Sequence, residues 1–425
     1  MAADHRRVRL FSVLATSALL SYGAAAVAQP PPPPPPPDTA PTGEPTPPPP
    51  PPMPPVTESL PPAPPPAPPP APPPAAGPPT VKIAGTNATA RVGFLLQPAF
   101  ESIGSPVAGS ENMTNNLYLR RARLMLGLTL GDEFELFAET DSPNLGKGAT
   151  GIGTPAQLLQ DAFMTWKPMD EFKIDLGMFL VPFLHNSVQG ATTLYGLEYF
   201  RYTFQQSGAF ANLAGRDTGI QLRGIIAKHL EYRLAAVQGK KVGAAPPKVA
   251  GRNEPRFLAR LQFNLLDAET GYFYAGTYGG TKKVLSIGAG FDHQDDYNAF
   301  GADLFLDMPL GEDVLTAQVD FVWLDGKTWL AGAAGPPVVP GVPKQTALMA
   351  EAGYRIGAIK LSPIVRFEMQ KPSGGNQTTG FGGGLAYWYM NHNANVKIFY
   401  MNTKLDAPGQ KAVNQINLQT QFWVF

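Results

Sequence analysis

The stretch LYLRRARLML, residues 117–126, sets guanidinium groups among leucines. Read with a period of two, Leu124, Leu126 and Leu128 share one face, and Arg121 and Arg123 take the other. The same parity directs Lys173, Arg223, Arg233, Arg256, Arg260, Arg366 and Lys397 away from the apolar residues around them. A column of such groups facing an enclosed aqueous space attracts anions, and the planar guanidinium fork suits phosphate. Parity also sends Glu133, Glu135, Glu139, Asp161, Asp175, Glu231, Asp303, Asp320 and Glu368 the same way. Pairing between the two sets would make a stiffened wall in place of a basic ladder. Both readings stand at this point.

Residues 182–215, PFLHNSVQGATTLYGLEYFRYTFQQSGAFANLAG, are too apolar and aromatic for a loose surface loop. A connection this long without strands of its own is usually functional. It is expected to fold inward and narrow the interior, with Arg201 and Arg216 beside the aromatics Tyr195, Tyr199 and Tyr202 at the constriction. The alternative is a loop that packs on a neighbouring subunit or closes a mouth.

Hydrolytic chemistry has one local candidate, His185 and Ser187 with Asn186 between them, but adjacency in a loop does not supply the geometry a nucleophile and base require. The five histidines, at positions 5, 185, 229, 293 and 392, form no metal-ligand spacing. In DHQDD, residues 292–296, Asp292, Asp295 and Asp296 have the oxygen chemistry to hold a divalent cation, although a solvated turn is the more ordinary use of such residues. The GAG at 288–290 is followed by no lysine and no helix, so it is not a nucleotide loop. The expectation is therefore no catalysis, no metal and no cofactor. Cysteine is absent, which excludes a disulfide framework and a thiolate site.

The elements that must position these groups are strands. From Thr80 onward the chain is a series of alternating segments broken by turn residues: 81–101, 116–131, 133–142, 157–168, 171–181, 216–229, 230–241, 255–269, 282–294, 297–311, 313–326, 345–357, 359–371, 378–392, 393–406 and 414–425. Connections after the even-numbered segments are mostly short, such as GDE, KPMDE and LGEDV, whereas those after the odd-numbered ones are long and rich in Gly, Pro and Ser. DAETGYFYAGTYGGTK and DHQDDYN break the rule, one in each direction. In NQINLQTQFWVF, residues 414–425, Ile416, Leu418, Thr420, Phe422 and Val424 oppose Asn417, Gln419 and Gln421. Such a patterned strand must close something, because an unpaired edge in lipid costs several kcal/mol per backbone group.

Composition agrees. Only 16% of residues are charged, against ~25% in an ordinary soluble domain, yet no apolar run after the first segment reaches helical spanning length. An all-β transmembrane antiparallel up-and-down barrel of sixteen strands has that combination, with long loops at one end and short turns at the other. Aromatics such as Trp323, Tyr354, Tyr387, Trp388, Tyr389, Trp423 and Phe425 are expected near the membrane interfaces.

Residues 1–28 have the layout of a signal peptide: Arg6, Arg7 and Arg9, then an apolar stretch from Leu10 to Leu20, then Ala26-Val27-Ala28. Without them the chain has 30 basic and 32 acidic residues, a balance that points to no nucleic acid. Residues 29–79 are mostly proline and are expected to be a disordered, extended periplasmic linker, with cell-wall contact as a further use. Residues 80–425 are the barrel domain.

With the segments placed, the sequence resembles the phosphate-selective porin O and P family. The likeness is carried by LYLRRARLMLGLTLGDEFELFAETD (117–141), LLQDAFMTWKPMDEFKIDLGMFLVPF (158–183), YAGTYGGTKKVLSIGAGFD (274–292) and Phe425. Phe425 with Trp423 is also similar to the strand signal read by the barrel-assembly machinery, but Gln419 and Gln421 stand where that signal prefers apolar residues. The resemblance implies a sixteen-stranded trimeric outer-membrane barrel in contact with lipid, passing small hydrophilic solutes or anions such as phosphate by passive diffusion. The competing expectations are a structural anchor tethered to the cell wall through residues 29–79, a barrel hydrolase, and a soluble β-protein.

Overall fold

The computed structural model describes residues 80–107, 109–148, 158–200, 215–239, 254–295, 297–326 and 344–425. The expected signal peptide and proline-rich linker, with Arg201, Tyr202 and Asp296, lie outside the described residues.

A two-residue strand β1 (Val81–Lys82) precedes sixteen longer ones. These are β2 (Ala88–Gly104), β3 (Met113–Leu130), β4 (Phe134–Asp141), β5 (Leu158–Met169), β6 (Phe172–Leu180), β7 (Arg216–Ile226), β8 (Leu230–Val237) and β9 (Arg256–Asn264). They continue with β10 (Val284–Gln294), β11 (Tyr297–Leu310), β12 (Asp313–Asp325), β13 (Gln345–Arg355), β14 (Leu361–Pro372), β15 (Thr378–Tyr387), β16 (Ala394–Leu405) and β17 (Val413–Val424). From β2 onward each strand pairs antiparallel with the next, and β17 returns to β2 through partners such as Leu418 with Phe100 and Phe422 with Leu96. The sheet is therefore a closed barrel of sixteen strands, as the periodicity indicated, and every expected strand overlaps an observed one. No helix among the described residues is long and apolar enough to cross a membrane.

Each strand alternates as its sequence does. Leu124 is 61% exposed on the outside of β3, while Arg121 and Arg123 beside it are buried within. In β17, Ile416, Leu418 and Phe422 face out, and Asn417, Gln419 and Gln421 face in. Water would penalise such an outer face by about 25 cal/mol per Å² of exposed apolar area. Hydrocarbon removes that penalty but demands that every backbone group be paired, which ring closure provides.

The interior is not empty. The connection after β6 turns in through a single 3₁₀ turn (Asn186–Val188), and from Val181 to Phe200 most of its side chains are buried. Phe183 and Leu184 pack on Tyr297, Ala299, Val322, Leu324 and Ala347 of the wall. Tyr195 and Leu197 pack on Ile364, Ala386, Trp388 and Phe399. Gly290 makes the first contact possible: a Cβ there would stand 2.1 Å from the Phe183 carbonyl oxygen.

A second insertion enters from the opposite end. The β9–β10 connection continues the ladder, with Leu265 N donating to Leu285 O and Asp267 N to Lys283 O at 2.8 Å each, and then turns inward. Glu269, Tyr274, Ala275 and Thr277 are buried. This is DAETGYFYAGTYGGTK, the long connection on the short-turn side, and its length follows from its inward course. The two insertions meet in the interior. Gly190 N donates to Tyr274 O (2.9 Å), Tyr274 N to Val188 O (3.0 Å) and Gly276 N to Thr193 O (3.1 Å).

Several expected interface aromatics are elsewhere. Trp388 is buried inside, stacked on Tyr195 with ring centroids 6.1 Å apart. Trp423 has the inward parity of Gln421, and Phe425 packs edge-on against the inward ring of Phe137 at 5.7 Å. In each case alternation outranks aromatic preference. Tyr354, Tyr387 and Tyr389 remain on the outer surface.

Candidate functional site: an ion-paired interior narrowed from both ends

Pro98 lacks the N–H that a ladder requires, and the β2–β3 register shifts between Gln97 and Pro98. Opposite that step Gln97 pairs with Arg121 and Pro98 with Leu119, so Arg120 is the extra residue of a bulge. The bulge turns two consecutive arginines to the same place. Both reach Glu198 of the inward loop: Arg120 Nε lies 2.5 Å from Oε1, and Arg121 Nη2 lies 2.7 Å from Oε2. Arg366 adds a bond from its guanidinium to the Glu198 carbonyl oxygen. Burial alone would raise the Glu198 pKa, but Arg120 and Arg121 outweigh it and hold the carboxyl down at about 2. Strict parity excluded Arg120, and a proline inside the facing strand was the available signal for it.

The other described cations named from the sequence are also matched. Arg123 bonds Glu139 (2.6 Å) and Asp141 (2.9 Å), and Arg216 bonds Asp161 (3.0 Å). Arg223 takes Asp175 (2.8 Å), Arg233 takes Glu231 (2.8 Å), and Arg256 takes Asp292 (2.5 Å). Arg260 takes Asp303 (2.5 Å), and Arg366 takes Glu351 (2.9 Å). Lys173, at the turn end of β6, bonds Asp170 (2.9 Å). Lys397 donates instead to the carbonyls of Leu194 (2.6 Å) and Gly196 (2.8 Å), holding the inward loop. Among the described residues, buried carboxylates number fourteen against nine buried Arg and Lys. The interior is thus a paired lattice with an acidic excess.

Where the insertions meet, His185 Nε2 lies 3.0 Å from both Glu269 oxygens, and its ring is stacked between Phe305 (4.0 Å) and Tyr274 (4.8 Å). Burial would raise the Glu269 pKa, but His185, Tyr278 and Gln262 bond the carboxylate and bring it below its ordinary value. The Ser187 hydroxyl donates to Leu184 O at 2.8 Å and accepts from Leu184 N, so it is not aligned with His185 as a nucleophile would be. Asp292, offered by sequence as a cation ligand, is committed to Arg256 in the interior.

Tyr199 donates to Gln189 O (2.7 Å), and its ring lies 5.7 Å below the Arg121 guanidinium. Burial pushes the Tyr195 hydroxyl up to about 12. Two cavities flank the insertions. One, of about 490 Å³, is bordered by Tyr118, Arg120, Lys147, Glu198, Tyr199 and Arg366. The other, of about 400 Å³, is bordered by Arg91, Phe137, Phe163, Tyr272, Phe273 and Phe425.

Comparison with known proteins agrees with this architecture. Residues 95–222 match the model of the phosphate-selective porin O and P family, so the resemblance read from the sequence is borne out over that stretch. No curated protein matches by sequence. Among solved structures, the anion-selective porin from Comamonas acidovorans is similar with a TM-score of 0.53 at 11% identity, over 79% of this chain and 99% of that one. OmpF of Salmonella typhi, solved in complex with daunomycin, gives 0.51 at 13% identity, over 81% of this chain and 100% of that one. The outer membrane channel DcaP of Acinetobacter baumannii gives 0.50 at 12% identity, over 82% and 99%. At such identities the likeness is one of fold: a porin-type barrel.

Proposed function

We propose that the protein is an outer-membrane porin through which small hydrophilic solutes diffuse passively. The observation that carries this reading is the closed barrel, apolar outside and charged inside, with a loop folded into its interior. Selectivity then resides in the gap between the insertions and the wall, and not in any reaction. In this reading Arg121, Arg123, Lys173, Arg216, Arg223, Arg233, Arg256, Arg260, Arg366 and Lys397 border the route, joined by Arg201. Because each of the described guanidiniums among them faces a carboxylate, any anion preference is weak, and phosphate meets no ladder of free cations among the described residues.

The family resemblance supports a homotrimer. The three-part layout of residues 1–28 supports export, and the proline-rich composition of residues 29–79 supports an extended periplasmic course with cell-wall contact as a secondary use. The anchor reading draws on one observation, the bonded insertions that cross the interior. Single-channel recording of the purified protein in planar bilayers under a KCl gradient, followed by phosphate addition, tests the proposal. Discrete open channels with a small reversal potential support it. No conductance, with or without residues 29–79, favours the anchor.

A further inference from the structure

The 400 Å³ cavity has chemistry that the ion-paired lattice lacks. Phe137 is its hub, with ring centroids 5.7 Å from Phe163, 5.6 Å from Phe273 and 5.7 Å from Phe425. Tyr272 extends the wall, 4.3 Å from Phe163 and 4.8 Å from Phe273. Five aromatic rings therefore converge from two strands, the β9–β10 insertion and the residue after β17. Three charged side chains also line the cavity, and two are spent. Glu135 is bonded to Lys167, and Arg223 to Asp175.

Arg91 differs. Its guanidinium carbon lies 4.4 Å over the Phe425 ring, and no carboxylate pairs with it among the described residues. Gly127 leaves it room, since a Cβ there would stand 2.7 Å from Arg91 Nε and 3.1 Å from Phe425 Cζ. A planar cation held over an aromatic face keeps its N–H edge available to an oxyanion.

We infer that this cavity is a binding subsite for small aryl carboxylates, with the ring among Phe137, Phe273 and Tyr272 and the carboxylate on Arg91. An aliphatic acid would meet only the charge, and a neutral arene only the rings, so the pair of features selects for both together. The inference rests on the channel reading for its place on a transport route, but occupancy of the subsite does not depend on conduction.

Calorimetric titration of the full-length protein in detergent with benzoate, acetate, benzyl alcohol and inorganic phosphate is the test. Benzoate is expected to bind at least tenfold more tightly than the other three. Arg91→Gln should bring benzoate down to the level of benzyl alcohol. Phe273→Ala should weaken benzoate at least fivefold without altering acetate. Phe273→Leu, which keeps volume and removes the π face, replaces it should the alanine variant fail to fold. Equal binding of benzoate and acetate, or unchanged benzoate affinity in the folded variants, overturns the subsite. Benzoate binding by a protein that carries no current supports the subsite and removes the channel reading, whereas open channels without benzoate binding do the reverse.

Discussion

His185 and Glu269 join two insertions that enter the barrel from opposite ends, with the imidazole Nε2 3.0 Å from each carboxylate oxygen. Removing one partner of a buried, hydrogen-bonded pair leaves the other uncompensated and typically costs about 3–5 kcal/mol. Glu269→Ala is therefore expected to lower the unfolding free energy of the barrel, measured by urea titration, by an amount in that range. It should also raise open-channel noise, because the insertions lose their common pin. A double variant with His185→Phe should recover much of the stability without the hydrogen bond. Unchanged stability in Glu269→Ala would refute the pin.

Glu198 neutralises Arg120 and Arg121 together. Glu198→Gln leaves both guanidiniums without their carboxylate while keeping the side-chain volume. The reversal potential under a KCl gradient should then move toward chloride, by several millivolts or more, relative to the parent protein. An unchanged reversal potential would mean that Glu198 does not border the ion path.

The same residue sets an acid limit. Its folded pKa, about 2, lies below the ordinary carboxyl value of 4.5. The depressed value means that the folded state holds the deprotonated form more strongly than the unfolded state does. The stabilisation is complete above about 4.5, is lost as pH falls toward 2, and is gone below it. Conductance fluctuations from the inward loop should accordingly grow between pH 4.5 and 2, and Glu198→Gln should show them already at pH 7.

Gly290 tests the seating of the loop sterically. Its missing Cβ is where the Phe183 carbonyl approaches, at 2.1 Å, and backbone cannot yield as a long side chain does. Gly290→Ala should destabilise the barrel by roughly 1–3 kcal/mol, the usual cost of overpacking. It should also change single-channel conductance without changing strand content by circular dichroism. Gly311→Ala, in an open turn with φ +69°, carries only backbone strain and should leave conductance alone.

Neighbouring residues of β17 separate the two faces. Leu418→Arg places a charge on the outer surface, where lipid exacts up to about 2–4 kcal/mol depending on depth. Gln419→Arg places it inside, among polar groups. Folding into vesicles measured by urea titration should be weakened by the first and little affected by the second. Equal losses would mean that the outer face of β17 does not meet hydrocarbon.

The wall was legible in the sequence because its code is local. A period of two states which face each residue takes, and the outward Leu124 and Leu418 and the inward Arg121 and Gln419 follow from it directly. Partnership across the interior is not local. Nothing near Arg256 in the chain announces Asp292, and nothing near Lys397 announces the carbonyls of Leu194 and Gly196. Arg120 escaped because one bulge shifts parity by a residue. Trp423 and Phe425 have inward parity, and it prevails over the preference of aromatics for membrane interfaces. The inward course of the β9–β10 connection showed only as unexplained length.

The seam between β17 and β2 is the one pairing of the sixteen that joins strands distant in sequence. Gln421 of β17 also donates to Thr192 O of the inward loop at 2.8 Å, and Lys397 of β16 grips the same loop. Hairpins can form in order as the chain lengthens, since each waits only for its neighbour. The final strands, by contrast, find these side-chain bonds only when the loop from the middle of the chain is already seated. Assembly thus carries its own inspection: a wall that wraps around an unfilled interior lacks part of what holds its last edge.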